Sequence, residues 1–160
     1  MCIDYNIRKF QVKDAEEVSK LIFETMTTTN IHDYSMAELE KTIKRFSPEG
    51  VIERAKWTHF YVVVYNEEAI IGCGAIGPYW GKEDESALFN IFVLPKCQGL
   101  GVGRKIIETL EKDEFFLRAK RIEVASSISA HQFYIKMGYS YKNNIKAIDE
   151  EKVYRLEKIR

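Results

Sequence analysis

The sequence predicts an α/β (α+β) fold in which one sheet is flanked by helices. Three observations carry that prediction. The apolar run Leu88-Phe89-Asn90-Ile91-Phe92-Val93 passes through a glycine-rich turn straight into an amphipathic stretch. Two β-rich runs, 60–65 and 69–76, are separated only by Asn66-Glu67-Glu68 and read as an antiparallel hairpin. Three further stretches open on capping-box patterns and continue with apolar residues at helical spacing.

Composition agrees. A chain of 160 residues is expected to form one domain, 1–160, with a core that needs no disulfide. It carries 24 basic and 24 acidic residues, so no electrostatic footprint points to nucleic acid or a membrane surface. Cys2, Cys73 and Cys97 are odd in number and lack metal-ligand spacing, which suggests a reducing compartment and no metal. Met1-Cys2-Ile3-Asp4-Tyr5 has neither the basic segment nor the apolar core of an export signal, and no apolar run approaches membrane-spanning length. A soluble cytoplasmic protein is expected.

Taken in order, residues 5–10 alternate as a first strand. Asp14 with Glu17 makes a capping box for a helix carrying Val18, Leu21 and Ile22 to about Met26. Residues 27–34 break periodicity as a polar loop. In it His32, Asp33 and Tyr34 are either binding groups or solvated loop residues. Ser35 and Glu38 open a second helix with Leu39, Ile43 and Phe46 on one face, and Ser47-Pro48-Glu49-Gly50 stops it. The hairpin follows, with Gly72 and Gly74 marking close packing or a bulge. Residues 77–85 form a polar connector whose Tyr79 and Trp80 either line a pocket or belong to the core rim. After the central strand, turn and helix come a short strand at 121–126 and a third capping box, Ser129 with Gln132, with Gly138 as the left-handed cap. Strands around 139–141 and 153–156 close the chain.

The glycine-rich turn is the chemically informative stretch. Glycines let a ligand approach the backbone, and successive N–H groups at a helix start form an anion cradle. A Walker phosphate loop and the dinucleotide fingerprint both need a glycine where Arg104 stands, so neither fits. What remains is Gln98-x-x-Gly101-x-Gly103, a pattern that an ordinary glycine turn before a helix also meets. A second pattern, Ala130-x-x-Phe133-Tyr134-x-Lys136-x-Gly138-Tyr139, places Tyr134 36 residues after Gln98.

Together, in this order and on these elements, the two patterns resemble the acetyl-CoA loop and closing segment of the GNAT superfamily of N-acetyltransferases. Ile7-Arg8 followed by Asp14, Val18 and Leu21 is similar to the opening of many such chains. The resemblance implies the GNAT fold: a mixed, mostly antiparallel sheet of six to seven strands, splayed between the fourth and fifth, with about four helices. It implies acetyl-CoA as cosubstrate, an amine acceptor, no metal, and a homodimer as one assembly the family uses. Gln98, Gly99, Leu100, Gly101, Val102, Gly103 and Arg104 would hold the pyrophosphate. Ile91, Phe92 and Val93 would lie along the pantetheine arm, with a backbone N–H near Val93 facing the thioester carbonyl. Tyr134 matches the general acid that protonates the thiolate, a suitable exchange between groups of comparable proton affinity. Two positions depart from the pattern. Ser127 stands where many relatives carry a pantetheine-binding Asn, and Ala87 stands where others carry a catalytic Glu. Glu85 shares the strand face of Ala87 and is either a substitute base or a solvated strand-end carboxylate. The functional expectation is an N-acetyltransferase acting on a small-molecule or peptide amine. The alternative is a non-catalytic acetyl-CoA-binding regulatory module of the same fold.

Overall fold

Seven strands form one sheet in the computed structural model, which describes residues 4–160. Cys2 and most of the N-terminal segment read for export lie outside the described residues. The strands are β1 Tyr5–Lys9, β2 His59–Tyr65, β3 Ala69–Tyr79, β4 Lys82–Val93, β5 Arg121–Ser126, β6 Ser140–Tyr141 and β7 Tyr154–Ile159. Their spatial order is β1-β2-β3-β4-β5-β7-β6, antiparallel throughout except for the parallel pair β4 and β5. This is the mixed, mostly antiparallel sheet that the resemblance implied.

The helices are α1 Ala15–Thr28, α2 Met36–Arg45, α3 Pro48–Trp57, α4 Val102–Leu110, α5 Glu114–Leu117 and α6 His131–Lys136. Among the described residues there are six, where the resemblance implied about four. Helix α3 begins at the Ser-Pro-Glu-Gly segment read only as a stop. Ser47 Oγ accepts from Gly50 N at 3.2 Å, and Pro48 occupies the first turn, where its missing N–H costs nothing. Gly50 is required there, because a Cβ would sit 2.0 Å from the Arg45 carbonyl oxygen. The short α5 is capped by Asp113, whose carboxylate accepts from Phe115 N at 2.9 Å.

Of the three expected capping boxes only Ser35–Glu38 forms, with both reciprocal bonds present. Asp14 instead takes a bidentate pair from Arg8 at 2.8 and 3.0 Å and the Gln11 N–H, while Glu17 accepts from Ile70 N. Tertiary partners outbid the local cap. Ser129 lies too early for α6, whose N-cap is Ala130, and the Gln132 amide turns to the His131 ring. The expected polar connector at 77–85 is also replaced by strand. Trp80 and Gly81 both have positive φ, as a tight two-residue hairpin requires, so β3 and β4 run nearly up to the turn.

The sheet separates two cores. Helices α1, α2 and α3 cover one face through Val18, Leu21, Ile22, Leu39 and Val51. Helix α4 leads the other through Val102, Ile106, Ile107 and Leu110, joined by Tyr134 and Tyr139. Gly74 admits α4 to the sheet: a Cβ there would lie 2.5 Å from Ile106 Cγ2. Both strand glycines reflect close packing, and Gly74 also stands opposite a bulge.

Candidate active site

β4 changes character halfway along. From Glu85 to Leu88 it pairs with Arg121 to Val124 of β5; beyond Leu88 it has no β5 partner, although it continues to Val93. The backbone edge that would have met β5 is therefore open from Phe89 onward. On the other edge the register with β3 slips, so that Asn90 and Ile91 stand opposite Gly74 alone. This is a bulge, with Asn90 at φ 55°, a left-handed conformation that asparagine tolerates better than most residues. Both amide atoms of Asn90, Nδ2 and Oδ1, are buried without a hydrogen-bond partner among the described residues. An unsatisfied buried amide costs roughly 1–3 kcal/mol, which a ligand would recover. Behind the bulge Cys73 donates its thiol to the Asn90 carbonyl at 3.2 Å, and burial pushes that thiol up to about 12. Cys73 is a packing residue and not a nucleophile.

The open edge leads into the glycine turn. Gly99 and Gly101 have φ of 79° and 84°, and nothing lies within 4 Å of a Cβ built on either. Their requirement is conformational, and the space above them is free. From Gly99 to Arg104 no backbone N–H is given to a protein acceptor among the described residues; the first α4 bond runs from Lys105 N to Gly101 O. This row of donors at a helix start is an anion cradle in the physical sense. Individual side chains are less uniform. Val102 is buried in the α4 core, whereas Leu100 and Arg104 are exposed. Gln98 donates its amide to the Val93 carbonyl at 3.1 Å, tying the turn back to the end of β4. Gly103 faces Phe133, with ring atoms 3.2 and 3.3 Å from where a Cβ would be. It thus joins the two sequence patterns by packing.

That contact places α6 beside the cradle. Tyr134, the next residue, is buried at 5% exposure, edge-on to Phe133 and Tyr139. Its hydroxyl has no hydrogen bond to any described residue, unlike that of Tyr139, which reaches Glu111 Oε2. Burial raises the Tyr134 phenol well above its ordinary pKa, so it is protonated at any working pH. Ser127, at the end of β5, accepts from Ser126 Oγ and Ala130 N through its carbonyl, and its own hydroxyl is not engaged.

The α1–α2 segment closes over the end of β5. Asn30–His32 forms a 3-10 turn where the sequence suggested only loop. Tyr34 then donates to the Lys152 carbonyl at 2.8 Å and accepts from Ile128 N at 3.2 Å. One hydroxyl pins three loops together, with Glu38 and Lys152 paired beside it at 3.1 Å. His32 is exposed and is not part of this staple.

Glu85 is not brought to the open half. Its carboxylate pairs with Arg121 at 2.7 Å, and Arg121 also holds Glu157 at 2.8 Å and Glu123. Glu85 is eight residues before Val93, roughly 25 Å along an extended strand. Ala87 is buried within the paired half. Tyr79 lies against Arg121 at 5.1 Å and Trp80 sits on the exposed hairpin tip, so both belong to the closed end. Asn90 was missed in the sequence, although a lone asparagine inside an apolar strand run is the sort of signal that marks a bulge. Among the described residues no cluster of His, Cys, Asp and Glu could hold a metal, and no helix is long and apolar enough to cross a membrane.

Known proteins share this fold. The family model described as "Acetyltransferase (GNAT) domain" matches residues 56–141. The PaiA N-acetyltransferase of Thermoplasma acidophilum, solved in complex with coenzyme A, is 17% identical and superposes with a TM-score of 0.82 over 99% of this chain and 100% of its own. A GCN5-related N-acetyltransferase from Rhodopseudomonas palustris gives 18% identity and 0.78 over 100% and 99%. A GNAT family acetyltransferase from Brucella melitensis, solved with acetyl-CoA, gives 22% and 0.63 over 87% and 84%. At these identities the likeness is one of fold. No curated protein matches the chain.

Proposed function

Because the chain belongs to the GNAT acetyltransferase family, whose model spans more than half of it, we propose that it moves the acetyl group of acetyl-CoA to a primary amine of a small molecule or peptide by direct attack in a ternary complex. The observation that carries this reading is the departure of β4 from β5 at Leu88. It opens a free strand edge that leads toward the unpaired N–H groups of Gly99 to Arg104, and Tyr134, whose hydroxyl has no partner among the described residues, belongs to the core against which Ile91 and Val93 of that edge pack. The coenzyme A and acetyl-CoA held by two of the fold neighbours are consistent with it.

Each requirement of the reaction then has a residue. The N–H groups of the 99–104 turn bind the pyrophosphate, and the glycines keep side chains from holding it away. The edge from Ile91 to Val93 pairs with the amide-bearing arm, assisted by the Ser127 hydroxyl. An N–H near Val93 faces the thioester carbonyl and stabilises the oxyanion that forms when the neutral amine attacks. Tyr134 gives its proton to the departing thiolate. Burial makes the phenol a weaker acid, but the thiolate is generated in the same desolvated pocket and is raised by the same cause, so the two stay matched. With Ala87 carrying no carboxylate and Glu85 held by Arg121, the proton of the incoming amine leaves through water.

Thiol release from acetyl-CoA, followed against a panel of amines, amino acids and peptides, tests the reading, with calorimetry for cofactor affinity. Release of CoA matched by N-acetylated product is expected. Absence of acetyl-CoA binding would sink the proposal.

A further inference from the structure

Among the described residues, Arg54 is a cation taken partly out of water without an anion beside it. Arg54 lies on α3, half-buried, and its guanidinium makes no ion pair or hydrogen bond with any described residue. Arg121, of similar burial, behaves differently and holds three carboxylates. Partly buried Arg8 and Arg155 each hold an acid as well. Around Arg54 stand aromatic rings instead. Its Cζ is 4.9 Å from the Phe89 centroid, 5.0 Å from Trp57 and 5.5 Å from Phe46. Trp57 packs edge-on to Phe89 at 5.2 Å, which closes the box.

Aromatic faces attract a guanidinium by about 0.5–2 kcal/mol without neutralising it or taking its N–H donors. Such a box positions a charge and leaves it available. It is a poor way merely to fill space, because a desolvated cation without a counter-ion costs more than an apolar residue of the same volume. Burial and the neighbouring Arg45 accordingly push the Arg54 pKa below its ordinary value. The nearby charge is therefore of the same sign, and the site favours an anion.

Its location says whose anion. Phe89 is the first β4 residue past the pairing with β5, and it immediately precedes the bulge at Asn90. Phe89, Phe92, Phe46 and Tyr34 contribute to one core on the α1–α3 face, the face that the Tyr34 staple closes. The α4 cradle and Tyr134 belong to the core of the opposite face. If the cofactor's nucleotide end is held from the α4 side, the acceptor approaches from the side of Arg54. The inference thus rests on the acetyl-transfer reading and deepens it.

We propose that Arg54 recognises a carboxylate of the acceptor, so that the amine acetylated belongs to an amino acid or a short peptide with a free carboxylate. The planar guanidinium matches that group with two parallel hydrogen bonds. The amine end is then directed toward the bulge, where the Asn90 amide lacks partners.

The test uses matched amino acids and amino-acid amides as acceptors. The amide has the less basic amine, a bias that runs against the prediction. The wild-type protein should favour the acid by about 10- to 100-fold in kcat/KM, the range of a charge-assisted hydrogen bond or two. Arg54→Met, of similar reach, should reduce kcat/KM for the acid to that for the amide, while acetyl-CoA affinity and melting temperature hold. Arg54→Lys should keep part of the preference, having the charge without the fork. A preference unchanged in Arg54→Met, or a wild-type protein that favours amides or polyamines, overturns the assignment. Calorimetry supplies a readout independent of turnover: N-acetyl amino acids should bind the CoA-loaded protein more tightly than their amides, and equal binding overturns the proposal as well. Failure to bind acetyl-CoA at all would instead sink the acetyl-transfer reading.

Discussion

The two halves of β4 face the same neighbour and solve opposite problems. From Glu85 to Leu88 the strand is zipped to β5, and a paired charge cluster lies against it: Arg121 with Glu85, Glu123 and Glu157, and Glu123 also with Lys142 at 2.8 Å. From Phe89 to Val93 the β5 edge is open, the backbone bulges, and the Asn90 amide, the Tyr134 hydroxyl and the Arg54 guanidinium have no hydrogen-bond partner among the described residues. Satisfied networks rigidify; unsatisfied ones await a ligand. Stability and chemistry are thus assigned to different segments of one strand, and substitutions in each should have different consequences.

The largest effect is expected in the open half. Tyr134→Phe keeps the ring edge-on to Phe133 and Tyr139 and removes only the proton donor. Turnover should fall on the order of 100- to 10,000-fold, with acetyl-CoA affinity little changed. Wild-type turnover in this variant would reduce Tyr134 to a packing residue. Next, Gly101→Val forces a β-branched side chain into φ 84° and disturbs the cradle. Calorimetry should show acetyl-CoA binding weakened by at least about tenfold, roughly the value of one charge-assisted bond. Gly101 serves better than Gly103 for this purpose, because a side chain at Gly103 also collides with Phe133.

In the closed half the readout shifts to stability. Arg121→Gln leaves three carboxylates facing one another and should cost about 3 kcal/mol in denaturant unfolding, the lower end for breaking a buried pair. A variant as stable as the parent would show that the cluster does not hold the strands together. A related pH dependence follows from Glu123. Burial tends to raise its pKa, but Lys142 and Arg121 outweigh burial and hold it below the ordinary 4.5. The carboxylate therefore contributes stability above about pH 4.5, and that contribution is lost as pH falls through the lower folded value. Melting temperature should drop on acidification through this window, and Glu123→Gln should flatten the drop while lowering stability at neutral pH. The smallest effect on chemistry is expected at Glu85. If its place is in the closed half, Glu85→Gln should keep turnover within about twofold and leave the pH–rate profile in position. A large loss of turnover with disappearance of the acidic limb would make it a base after all.

Much of the architecture was legible because it rests on local rules. The strand runs at 60–65, 69–76 and 88–93, the α4 amphipathic stripe and the Ser35–Glu38 box all depend on neighbours in sequence, and all are present. The glycines at 99 and 101 were readable for the same reason, since a left-handed φ selects its residue wherever it occurs. Where reading failed, a long-range partner or a double meaning intervened. Asp14 and Glu17 could cap α1, yet Arg8 and the Ile70 N–H took them. Ser-Pro-Glu-Gly can end one helix or begin the next, and here it does both.

The sequence by itself determined the order of the strands and of helices α1, α2, α4 and α6, the glycine-bearing turn and the aromatic segment ending at Gly138, because propensity, capping and backbone permissiveness act over a few residues. Only the tertiary structure decided which polar groups are spent and which are free. Glu85 and Glu157 are 36 residues apart from Arg121 on either side, and Phe46, Arg54 and Phe89 come from three separate segments. Whether a carboxylate is bound by an arginine, or an arginine is left with only rings around it, is settled by packing between elements, and no spacing along the chain encodes it.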